Sequence, residues 1–150
     1  MVEMGKVENL VIYVNSGMDN LKNQYASYVI AFAAKQAGVQ TVTVFYGPNG
    51  VEVTKKGKLA TLAIPNEVKT LIAGQFDGLK PEDLPDNLEQ LAMFEKDELG
   101  VSIYSCGTFN VIDGFATSID DKTNIEDFLT PVKVPDAVGV ALNADKILWL

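Results

Sequence analysis

Hydrophobic and polar positions alternate between two kinds of pattern along the chain. Asn9-Leu10-Val11-Ile12-Tyr13-Val14 is a continuous apolar run ending in Asn15-Ser16-Gly17. A short unbroken run bounded by turn residues predicts a strand buried on both faces. From Asn20 to Ala37, Leu21, Tyr25, Tyr28, Val29 and Phe32 recur at helical spacing, and Gly38 stops the helix. Ser16-Gly17-Met18-Asp19 has the form of a capping box at its start. Thr41-Val42-Thr43-Val44-Phe45 is β-branched and predicts a second strand, closed by the turn Gly47-Pro48-Asn49-Gly50.

Val51–Ile64 fits neither period. Asn66–Ala73 predicts a short helix with Val68, Leu71 and Ile72 on one face, and residues 74–85 predict a loop. Leu88, Leu91, Ala92 and Glu95 share the face of a helix over Asn87–Leu99, which Gly100 ends. Val101–Tyr104 predicts a third strand running into Ser105-Cys106-Gly107-Thr108. Thr123-Asn124-Ile125-Glu126 is a second capping-box pattern, expected to open a single turn before Pro131. Val132–Val134 and Lys146–Leu150 are further strands, with a helix over Asp136–Leu142 between them. Five strands alternating with helices predict one α/β domain over residues 1–150, a mostly parallel five-stranded sheet between two helical layers. In such sheets a ligand or reactive group lies beyond the carboxyl ends of the strands. Asn15–Asp19, Tyr46–Asn49 and Ser105–Thr108 hold those positions.

The 150 residues carry 12 cations, all Lys, against 20 Asp and Glu, and neither Arg nor His. Without His there is no imidazole base and no Ser-His-Asp or Cys-His relay within one chain. Without Arg there is no guanidinium fork for phosphate or carboxylate. A net charge of -8 argues against a nucleic-acid partner and against an anionic membrane surface. Lys55, Lys56 and Lys58 form the one basic cluster and read as a solvated loop. The longest unbroken apolar run, Tyr28–Ala34, is far short of the ~20 residues a bilayer span needs. Met1–Lys6 lacks a signal-peptide core, so a cytoplasmic protein is expected.

Familiar motifs are missing. No G-x-G-x-x-G follows a strand, and Gly57-Lys58-Leu59 lacks both the first Gly and the final Ser or Thr of a phosphate loop. Gly100-Val101-Ser102-Ile103-Tyr104 lacks the last Gly of a nucleophile elbow. One Cys excludes an intrachain disulfide and a redox pair, and without His it cannot complete a zinc site. No cofactor is expected. Asn15-Ser16-Gly17 opens a helix and is a candidate cradle for a small anion, although simple capping explains the same residues.

Cys106 is the one nucleophile that stands out. At a strand end followed by Gly107 and Thr108, a thiolate or persulfide would face main-chain N–H groups of the next turn. Gly107 would admit a small sulfur donor. Burial as a packing residue is the competing reading, since free Cys is often buried, and a carboxylate as near as Asp113 works against a thiolate.

Three segments resemble the DsrE/DsrF-like family, which includes sulfur-relay subunits. They are Leu10–Val14 with its Ser/Gly loop and Ala-rich helix, Gly100-Val101-Ser102-Ile103-Tyr104-Ser105-Cys106-Gly107, and Ala144-Asp145-Lys146-Ile147-Leu148-Trp149. The resemblance implies a three-layer α/β/α sandwich, homo-oligomers of three or six subunits, and a cysteine that in some members holds sulfane sulfur. Cys106 is the position that can take that role, with a donor or acceptor protein as partner. The chain departs from the pattern in having no Arg and a long loop over 74–86. The alternative is a non-catalytic assembly subunit in which Phe45, Tyr46, Phe109, Phe115 and Phe128 make the subunit contacts and Cys106 is structural.

Overall fold

The computed structural model describes residues 6–150. Its five strands are β1 (Asn9–Val14), β2 (Thr41–Tyr46), β3 (Ser102–Cys106), β4 (Thr130–Val132) and β5 (Lys146–Trp149). All neighbouring pairs are parallel, in the order β4-β3-β2-β1-β5. Its helices are α1 (Leu21–Gln36), α2 (Asn66–Ala73), α3 (Leu88–Leu99), α4 (Gly107–Ile112) and α5 (Val134–Leu142), with short 3-10 turns at Gly50–Thr54, Leu59–Thr61 and Pro81–Asp83.

Register assigns the side chains to faces. Leu10, Ile12 and Val14 of β1 stand beside Val42, Val44 and Tyr46 of β2. Together with Ile103 of β3 they join Tyr28, Ala31, Leu88, Leu91 and Ala92 in the main core, under α1 and α3. Val11, Phe45 and Cys106 point the other way and pack against Ala137 and Val140 of α5. The chain steps across the sheet from β1 to β4, then returns to the far edge for β5. Right-handed crossovers require that this reversal place α5 on the opposite face. The result is the expected sandwich, with one thick helical layer and one thin one.

Several local expectations shift. Asn20, not Ser16, caps α1, its side chain accepting from the Asn23 N–H, while Asp19 turns back to the Gly17 N–H. Thr123–Glu126 opens no helix; Glu126 instead accepts from the Gly57 N–H at 2.7 Å and ties two loops together. Val134 belongs to α5 rather than to a strand, because Pro135 fits the first turn of a helix. The ambiguous 51–64 stretch forms 3-10 turns that bury Val51, Val53 and Leu59. Phe45, Tyr46 and Phe128 are buried core residues, so they are not available for subunit contacts. Lys55 lies over the Phe115 ring and 4.0 Å from Asp113, and Lys56 lies 3.8 Å from Asp127.

Candidate functional site

The carboxyl ends of β1, β2 and β3 meet at one rim. The Gly47 N–H donates to the Val14 carbonyl at 2.9 Å, and the Asn49 N–H donates to Asn15 Oδ1 at 3.3 Å. These bonds knit the first two loops. Asn15, Asp19, Pro48, Asn49, Glu52 and Asp113 border a cleft of about 460 Å³. Three of the six side chains are carboxylates, so the cleft is electronegative.

The loop expected to cradle an anion is filled by the chain's own groups. Gly17 donates to Asp19 Oδ1 at 3.0 Å, and Met18 donates to Glu52 Oε1 at 2.5 Å. Ser16 Oγ donates to the Leu150 carbonyl at 2.8 Å, and Asn23 Nδ2 donates to the same oxygen at 3.1 Å. Gln24 Nε2 holds the Ser16 and Gly17 carbonyls. An incoming anion would have to displace two carboxylates of the same sign. Glu52 sits in the stretch whose period was ambiguous, so nothing in the sequence marked it as the group that closes this loop.

Cys106 ends β3 and directly precedes α4; its thiol makes no capping bond to that helix. It is 4% exposed and lies with Val11 and Phe45 on the α5 side of the sheet, against Tyr13, Tyr104, Phe109 and Val132. It does not border the acidic cleft. The close approach expected at Gly107 is made by the chain itself. A Cβ there would meet Ile119 Cγ2 at 2.7 Å and its carbonyl oxygen at 2.8 Å. Thr108 is half-buried in the first turn of α4. Asn110 is buried and donates to Ser105 Oγ at 3.1 Å, fixing α4 to the strand.

Tyr13 is the neighbour that sequence reasoning passed over. Burial raises its phenol, and a charge on Cys106 raises it further, which places the two side chains within electrostatic reach. Tyr13 stacks on Phe45 at 5.3 Å and lies tilted against Trp149 at 4.5 Å between ring centroids. Strand alternation held a signal: the odd-numbered β1 residues and Cys106 share a face once the register is known.

Behind the rim, on the other face, the Tyr28 and Tyr46 hydroxyls lie 2.5 Å apart. Burial pushes both phenols up, and the neighbouring Glu95 adds to the effect. Glu95 itself is fully buried and its carboxyl is pushed well above the usual range by loss of solvent. Among the described residues, no group of three or more Cys, Asp or Glu is arranged to hold a metal ion. Among the same residues, no helix is long and apolar enough to cross a membrane.

No protein-family model matches the chain, and no curated protein matches it. A solved structure does. The YchN protein from E. coli superposes with a TM-score of 0.60 at 14% sequence identity, over 95% of this chain and 99% of that one. YchN has a DsrE-like fold, so the two chains share an α/β architecture with a five-stranded parallel sheet.

Proposed function

We propose that this chain is a cytoplasmic sulfur carrier that holds sulfane sulfur as a persulfide on Cys106 and passes it to a thiol of a partner protein. The observation that supports this reading is the place of Cys106, at the carboxyl end of β3 and immediately before α4. Reactive groups of parallel α/β sheets gather at that edge. The thiolate would attack the outer sulfur of a persulfide or polysulfide donor, and the donor's remaining thiolate would leave. The Cys106 persulfide would then be attacked at its outer sulfur by an acceptor thiolate, releasing Cys106 as thiolate. The cycle needs no net oxidant and no His.

A second reading has its own observation. A thiol that is 4% exposed between Val11 and Phe45 packs as a small apolar residue, and a purely structural Cys106 needs no opening of the rim. The carrier reading requires that Tyr13 or α4 yield to admit a donor.

Thiol labelling separates the two. Native protein is treated with a small alkylating reagent at mildly alkaline pH, with denaturant added in steps below the unfolding transition. A carrier is expected to label to completion at a rate that these steps leave unchanged, because the opening is local. Labelling that accelerates in proportion to global unfolding would assign Cys106 to the core alone.

A further inference from the structure

Helix α2 presents an unusual side to the core. Its sequence groups Val68, Leu71 and Ile72 on one face, yet its buried residues are Lys69 and Ala73. Lys69 is 8% exposed, and its ammonium donates to Asp86 Oδ1 at 2.6 Å. Burying a lysine while apolar neighbours stay outside reverses the usual order. Val68 and Ile72 instead line a groove shared with Leu21, Tyr25 and Val29 of α1. These three α1 residues follow one another at four-residue steps, a wall of about 12 Å. The groove has a volume of about 760 Å³, larger than the acidic cleft at the rim. Small-molecule sites commonly measure about 300–1,000 Å³ and are mostly apolar with a few placed polar groups. Here the hydroxyls are already used: Tyr25 donates to the Ala63 carbonyl at 2.7 Å, and Thr61 donates to the Lys58 carbonyl at 2.6 Å. Lys22 differs. It is exposed, and among the described residues it is the one charged group lining the groove and has no ion-pair partner. It sits in the first turn of α1, a positive helix end that holds no acidic residue. The preceding carboxylate, Asp19, is turned to the Gly17 N–H.

We propose that the groove binds a single-chain amphiphile of the alkyl carboxylate class, its tail along Leu21, Tyr25 and Val29 against Val68 and Ile72, and its carboxylate at Lys22. The lining selects the body of the ligand. It offers apolar surface along its length, so an occupant with polar groups there would lose their hydration without new partners. An extended peptide brings an N–H and a carbonyl with nearly every residue; an alkyl chain brings none. The charge selects the head and its direction. The one cation and the helix N-terminus stand together at the Leu21 end of the groove, so a negative head belongs there and the tail runs toward Val29. A cationic head would meet repulsion at the same place. The site is separate from Cys106, which lies on the opposite face of the sheet, and does not depend on sulfur chemistry.

Isothermal titration calorimetry of the full chain with octanoate and decanoate, each below its micelle concentration, tests it. One saturable site is expected, with decanoate bound about tenfold tighter than octanoate for its two further buried methylenes. Decyltrimethylammonium carries the same tail under a positive head and is expected to bind about fivefold more weakly than decanoate. General adsorption to a chain of net charge -8 would favour the cation instead, so equal or tighter binding of the ammonium overturns the proposal. Lys22→Glu is expected to weaken decanoate about fivefold while the circular dichroism stays that of the folded chain. Ile72→Asp sets a carboxylate against the tail and is expected to abolish binding. Absent saturation with decanoate, equal affinity for the two chain lengths, or unchanged affinity in folded Lys22→Glu would each overturn it. Light scattering on folded Ile72→Asp adds a further check: a mass lower than that of the wild type would assign the groove to a subunit contact and overturn the ligand site. Labelling of Cys106 is read separately, so either account can fail while the other stands.

Discussion

Glu95→Met is expected to make the protein more stable, by about 2 kcal/mol near neutral pH. Glu95 is 0% exposed on the inner face of α3, and neither carboxyl oxygen has a hydrogen-bond partner among the described residues. Its charge would raise the phenols of Tyr28 in α1 and Tyr46 in β2 further. No cation is paired with it among those residues. The buried group is therefore held neutral. Its folded pKa is raised from the usual 4.5, so in the unfolded chain it ionises first. Stability from the neutral form is complete below pH 4.5 and is lost as pH rises toward the folded value. Glu126 acts in the same direction, pushed up to about 7 chiefly by burial, and its part levels off beyond that pH. Methionine has a similar length and no polar group to desolvate. The gain in melting temperature, about 5 °C for a chain of this size, should be larger near pH 8 than near pH 5. A loss of stability at both pH values would show that Glu95 has a favourable partner and that this account of the core is wrong.

Gly50→Ala is expected to destabilise by about 3 kcal/mol, with a melting temperature lower by roughly 10 °C. A Cβ at Gly50 would run into the carbonyl oxygen of Val14, with the Val14 carbon at 3.1 Å and the Ser16 oxygen at 3.3 Å. These are backbone atoms at the end of β1, so no rotamer change relieves the contact. At Gly17 and Gly47 the obstacles include the Glu52 and Tyr13 side chains, which can turn aside at least in part. Thermal unfolding of the variant reads the effect directly. A melting temperature equal to the wild type would mean that the loop after β2 does not lie against β1.

Much of this architecture was legible in the amino-acid order, and the reason is physical. β1 and β2 are mostly buried on both faces, so they read as continuous apolar or β-branched runs. The ends expected for α1, α2 and α3 fall within one residue of those observed, although in α2 the expected apolar face is not the buried one, since Lys69 and Ala73 are buried and Leu71 is exposed. Glu95 shares a helical face with Leu88, Leu91 and Ala92, but the charged run Glu95-Lys96-Asp97-Glu98 reads as a solvated face, so its full burial was not legible. The misses lie where tertiary contacts decide. Residues 107–112 show no helical period, and their helix is fixed by the Asn110–Ser105 bond and by Ile119 against Gly107. The 3-10 turns after β2 are β-branched and follow no regular period. For the site, the position of Cys106 at a strand end was readable, but the face on which its thiol lies was not. That depended on strand order and register, which pair residues well separated along the chain, Leu10 with Lys146 and Cys106 with Val132.

The same limit explains the loop after β1. Its residues advertised free N–H groups at a helix start; Asp19 takes the Gly17 N–H locally, but Glu52, which takes the Met18 N–H, and the Leu150 carbonyl, which takes the Ser16 hydroxyl, lie far along the chain. Short-range pattern cannot show a long-range occupant.

The most direct measurement of the central claim is the intact mass of the native protein after incubation with a persulfide donor and removal of excess reagent. The account predicts a gain of one sulfur atom on Cys106, absent in Cys106→Ser and reversed by an added acceptor thiol. A wild-type chain that keeps its original mass, while a small free thiol in the same tube takes up sulfur, would contradict it.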